Sequence, residues 1–125
     1  MKLNRDQSLE LNFSLSQKGL KAKHVSGENY VKLLNIKTKL KNELNTLADG
    51  EKDLCEEFGG YQSDSGFVIE DKDKRKEFLK KVSEVQKAFS IELELNFVPE
   101  NELKDYCKEQ DTAIEAVLFE YLLKQ

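Results

Sequence analysis

The sequence predicts an α+β domain. Three to four helices, the longest over about residues 27–58, pack on a small two- to three-stranded sheet drawn from about 8–16, 67–69 and 91–97. Three observations predict this. Apolar residues from Tyr30 to Phe58 recur at steps of three, four or seven, the period of a helix. Ile91, Leu93, Leu95 and Phe97 alternate with Glu92, Glu94 and Asn96, the period of a half-buried strand. Between them, Gly59, Gly60, Ser63, Asp64, Ser65 and Gly66 form the clearest loop. With 125 residues and 38% hydrophobic content, one domain over 1–125 can bury a core without staples.

The elements follow in order. Leu9, Leu11, Phe13 and Leu15 alternate with polar residues and predict a first strand over 8–16; a short amphipathic helix from Leu11 to Leu20 is the alternative. Lys18, Gly19, Lys21, Lys23 and His24 make a basic connector. Ser26 is placed to cap the long helix, with Glu28 in its first turn. Leu33, Leu40, Leu44, Leu47, Leu54 and Phe58 form its seam. Asp49-Gly50 either breaks this stretch or is absorbed by it, and Gly59-Gly60 stops it.

Phe67-Val68-Ile69 reads as a short strand or a tucked-in anchor. A second helix runs from about Asp73 to Phe89: Phe78, Val82, Val85 and Phe89 share one face, with Lys76, Lys80, Lys81 and Lys87 off it. The strand over 91–97 ends at Pro99. Asn101 caps a short helix carrying Leu103, Tyr106 and Cys107. Asp111 or Thr112 caps a terminal helix whose Ile114, Val117, Leu118, Tyr121 and Leu122 dock on the long one. The pentapeptide at residues 9–13 recurs at 93–97, which predicts neighbouring strands in one sheet.

The charge is uneven. Residues 1–41 carry nine Lys/Arg against three Asp/Glu, and residues 42–125 eleven against twenty-one, within a net charge of −4. A chain so divided compensates internally, stacks head to tail, or shows one sign to a partner. The charged opening Met1–Asp6 predicts no export signal, and no run approaches the ~18 apolar residues of a membrane span. A cytoplasmic location is expected. Cys55 and Cys107 are expected to be reduced, buried thiols.

No chemistry stands out. His24 is the single imidazole and sits among lysines, a poor setting for a general base. Ser63-Asp64-Ser65-Gly66 lacks the first glycine of a nucleophile elbow, and no phosphate-cradling glycine loop occurs. Residues from Asp71 begin like a calcium loop but place Arg75, Lys76 and Val82 where a ligand, the glycine and the bidentate carboxylate belong. Glu92 and Glu94 fit the outer face of a strand. No enzyme, cofactor or metal is expected. Lys18, Lys21, Lys23, Lys37 and Lys41 form a candidate basic patch, yet Arg is scarce and nucleic acid is not the expected partner. Residues 91–125 carry nine acids against three lysines, and Glu100, Glu102, Glu115 and Glu120 are the candidate partner-binding acids.

One resemblance spans most of the chain. Phe13, Lys18-Gly19, Lys23-His24 and Tyr30-Val31-Lys32-Leu33-Leu34 precede Leu40, Leu47, Glu51, Leu54 and Glu56-Glu57-Phe58, with Glu120-Tyr121-Leu122 near the end. This pattern resembles an uncharacterised family of small proteins encoded by bacteriophages of Gram-positive bacteria, a domain of unknown function. It departs from that family at His24-Val25-Ser26, where more Arg is usual. The resemblance implies phage origin, with no activity and no site residues to transfer. The expected function is a non-enzymatic protein–protein interaction module, a small virion-associated or assembly factor. Self-association through the edge strand Ile91–Phe97 is one route. The alternative is a phage-encoded inhibitor or regulator of a host defence protein, acting through the acidic C-terminal surface. A carboxylate-dependent metalloenzyme is the third reading.

Overall fold

A computed structural model describes residues 1–16, 25–107 and 112–125. The element order is β1 (Lys2–Asn4), α1 (Arg5–Ser16), α2 (Gly27–Glu57), β2 (Tyr61–Ser63), β3 (Gly66–Val68), α3 (Lys72–Ala88), β4 (Ser90–Glu92), α4 (Glu100–Cys107) and α5 (Thr112–Leu122). β1 pairs antiparallel with β4, Leu3 opposite Ile91. β2 and β3 form a separate antiparallel hairpin. The α+β character of the chain stands, with helix dominant.

The helix ends are written in local chemistry. Ser26 Oγ accepts the Asn29 amide at 3.2 Å and caps α2. Asp71 Oδ1 accepts the Asp73 and Lys74 amides, both at 3.0 Å, and caps α3. The Lys74 amide holds the Asp71 carboxyl below the usual carboxylate range. α2 runs unbroken through Gly50. It stops where Gly59 turns left-handed, φ 78°, and the Gly59 and Gly60 amides reach back to the Glu56 and Cys55 carbonyls, both at 3.0 Å. A Cβ on Gly60 would stand 2.5 Å from the Val68 carbonyl oxygen, so only glycine lets the hairpin return this closely.

The predicted strand over 8–16 is corrected to helix α1. Asn4 Oδ1 accepts the Gln7 amide while Gln7 Oε1 accepts the Asn4 amide, both at 2.9 Å, a reciprocal cap that starts a helix. Leu11 and Leu15, four apart, are buried with Ser8 and Ser14, whose small side chains let neighbours approach. Leu9 and Phe13 are left 41% and 60% exposed. The apolar alternation was only half of the buried face; the serines were the other half.

The strand over 91–97 is likewise shortened. The ladder covers Ser90–Glu92, the Leu93 amide adds a bond to the Met1 carbonyl, and Asn96 at φ 60° turns the chain away. The two copies of the pentapeptide are therefore not sheet neighbours: one lies in α1, the other leaves β4. The strand over 67–69 is found as β3, shifted to Gly66–Val68, with β2 as its partner in place of the other two segments. Among the described residues, two ladders stand in place of the single expected sheet.

Two apolar clusters share α2. The larger joins α1, the first half of α2, both strands of the first ladder, α4 and α5 around Leu3, Leu33, Leu40, Leu103 and Tyr121. Each fully buried leucine there contributes ~1.5–3 kcal/mol. The smaller cluster is Cys55, Ile69 and Phe78, with Phe58 and Phe67 edge-on to the Phe78 ring. Cys55 and Cys107 are both buried as thiols, and burial pushes the Cys55 thiol up.

Candidate functional site

α2 has 31 residues and spans ~46 Å. Its first half buries Leu33, Ile36 and Leu40; beyond Leu40, Cys55 is its one fully buried residue. α3 has 17 residues and buries only Phe78. The Glu51–Gln86 hydrogen bond and the Phe58–Phe78 ring contact set the two helices antiparallel. Together with the β2–β3 hairpin they form an arm projecting from the main cluster. Leu44, Leu47, Val85 and Phe89 are half-buried between the clusters. An open apolar groove of about 390 Å³ lies there, lined by Leu47, Gly50, Val85, Ala88 and Phe89 with Glu43 and Thr46 at its rim. On the other flank of α3, Asn4, Arg5, Asp6, Ser83, Gln86 and Lys87 line a polar cleft of about 340 Å³.

The arm's charge is divided by helix. Residues 42–57 carry six acids and one lysine, whereas α3 carries seven basic residues and three acids. Among the described residues, the polar link between the two helices is Gln86 Nε2 donating to Glu51 Oε1 at 3.3 Å.

Among the described residues, the sequence-derived candidates are not gathered into one site. Glu102 turns inward: its carboxylate accepts the Ser26 amide and the Asn29 side-chain amide, both at 2.8 Å, tying α4 to the start of α2. Glu100 pairs with Lys104 at 3.1 Å within α4. Glu120 is exposed on α5, and its backbone carbonyl accepts the Asn96 side chain. The side chain of Glu115 lies outside the described set. Lys18, Lys21, Lys23 and His24 also lie outside the described residues. Lys37 and Lys41 stand on α2, half-buried and exposed respectively.

Other α2 lysines serve the fold. Lys32 reaches Glu94 at 3.2 Å and sits 5.2 Å from the Phe97 ring centre, and Lys39 Nζ donates to the Glu92 carbonyl at 2.6 Å. Glu92 takes the Met1 ammonium at 2.8 Å, which holds its carboxyl below the usual range. Glu92 and Glu94 thus serve different cations. The seven-residue edge expected for self-association does not form, because β4 ends at Glu92.

The basic face of α3 is the feature the sequence reading passed over. Lys76, Lys80 and Lys87 lie off the apolar face in the sequence, but the acidic total over residues 42–125 hides their local excess. No described helix is long and apolar enough to cross a membrane. A scan against protein-family models, a search of curated proteins and a search of solved structures each return no significant match.

Proposed function

We propose that this chain is a non-enzymatic protein–protein interaction module that engages its partner through the α2–α3 arm. One observation carries the reading: two long helices project from the main cluster with a single fully buried residue each along the arm, leaving a half-covered apolar groove. A helix pair that buries so little of itself has surface to spare for a partner. In the phage setting that the resemblance implies, the role is a small virion-associated or assembly factor.

The test is affinity capture from nuclease-treated native lysate, read by mass spectrometry. A stoichiometric protein is expected with the unaltered chain and with Glu100→Gln, and is expected to disappear with Leu47→Gln at unchanged helical circular dichroism. Capture indifferent to Leu47→Gln but lost with Glu100→Gln would move the site to the acidic C-terminal surface and sink the proposal.

A further inference from the structure

The arm has two edges of opposite sign, and we propose that they join copies of this chain side by side, the lysine edge of α3 in one copy against the acidic edge of α2 in the next. The inference rests on reading the arm as an interaction surface, and names its partner.

Lys76, Lys80 and Lys87 recur at spacings of four and seven along α3, on the side turned away from Phe78, Val82 and Val85. Asp49, Asp53 and Glu56 recur at spacings of four and three along α2, on the side turned away from Leu47, Leu54 and Cys55. All six side chains are exposed, and Lys87 also lines the polar cleft shared with Asn4, Arg5 and Asp6. None joins an ion pair among the described residues. The Glu51–Gln86 and Phe58–Phe78 contacts fix the relative height of the helices. They bring Asp49 level with Lys87, and Glu56 level with Lys80. A copy displaced sideways, without rotation, therefore sets acid opposite lysine along ~10 Å of helix.

This match in height and length favours a second copy over a polyanion. The net charge of −4 and the scarcity of Arg point the same way. Because the two edges lie on opposite sides of the arm, each contact leaves one free edge of each sign. Such a contact is heterologous and, repeated without rotation, extends as an open row of copies. Its pairs are solvent-exposed, so the assembly is weak and salt-sensitive.

Sedimentation velocity on the full chain at roughly 100 μM, in about 50 mM and about 500 mM NaCl, tests this. Multiples of 14.4 kDa are expected at low salt and the single chain at high salt. Lys80→Glu with Lys87→Glu, and separately Asp49→Lys with Glu56→Lys, are each expected to weaken association at least ~10-fold. Mixing the two variants should restore it, since each then offers the edge the other lacks. A single chain at low salt, association indifferent to the reversals, or variants that stay apart on mixing would overturn the proposal. So would a labelled DNA duplex held by the lysine edge of a chain that stays single. A chain that stays single yet loses its captured partner with Leu47→Gln removes self-association and leaves the interaction reading standing; loss of both results removes both.

Discussion

Asn96 offers the sharpest test of the packing argument. Its φ of 60° places it in the left-handed region, and its side-chain amide donates to the Glu120 and Leu123 carbonyls at 3.1 and 3.0 Å. Its backbone amide donates to the Tyr121 carbonyl at 2.9 Å. With the Val98 amide, which donates to the Leu122 carbonyl at 2.9 Å, Asn96 closes the C-terminal end of α5, whose last carbonyls have no partner within the helix. Asn96→Ala removes two side-chain bonds, at about 1 kcal/mol each, and puts a Cβ without a compensating amide in the left-handed region, about 1 kcal/mol more. The expected loss is about 3 kcal/mol in urea unfolding followed at 222 nm. Asn96→Gly keeps the backbone conformation at ease but loses both bonds, and should cost about 2 kcal/mol. The twin pentapeptide supplies the control. Asn12 occupies the same place in it but lies inside α1, so Asn12→Ala should be neutral or stabilise by up to ~0.5 kcal/mol. Equal losses at the two positions, or a loss below ~0.5 kcal/mol for Asn96→Ala, would refute the reasoning.

Other expectations follow from the same geometry. Gly50 is exposed inside α2 with nothing within 4 Å of a Cβ, so Gly50→Ala should stabilise by ~0.5–1 kcal/mol in urea; Gly60→Ala, driven into the Val68 carbonyl, should lose more than ~1 kcal/mol. Glu102→Ala leaves the Ser26 amide and the Asn29 side chain without their acceptor and should cost ~1–2 kcal/mol by thermal melting, whether or not any partner is bound. Burial raises the Tyr106 and Tyr121 hydroxyls above their ordinary value. Their contribution is therefore complete below about pH 10 and is lost as pH rises beyond it, where the unfolded chain releases protons first. In a chain carrying Tyr30→Phe and Tyr61→Phe, which leaves these two as its tyrosines, tyrosinate absorbance should rise together with loss of helix; absorbance rising well ahead of it would place these rings in water.

Much of the fold was legible where local chemistry and burial agree. α2 was readable from Ser26 to Gly59-Gly60 because a cap, a seam and a stop coincide, and α3 because its apolar face is regular. α1 was misread because Leu9 and Phe13 look outward and the serines that complete its inner face carry no hydrophobic signal. The reciprocal Asn4–Gln7 cap was present in the sequence and pointed to the right answer. The pentapeptide shows the limit of local reading: the same five residues make a helix after that cap, and an exit from β4 where Asn96 meets α5. Among the candidate acids, charge totals likewise do not reveal that Glu102 faces inward. The arm's opposed edges needed the antiparallel pairing of α2 with α3, which no spacing within either helix supplies.

The sharing of α2 by two clusters of very unequal size has a consequence for how the molecule opens. The smaller cluster has three buried residues and joins the larger one through the half-covered waist at Leu44, Leu47 and Val85. The hairpin and the near end of α3 can therefore detach while the larger cluster keeps the first half of α2 wound. Amide protons of Gln62, Phe67 and Phe78 should exchange with solvent at rates set by this local event, well ahead of those of Leu33, Leu40 and Tyr121, which wait for the whole chain to unfold. A partner that clamps the arm should slow the first group and leave the second untouched.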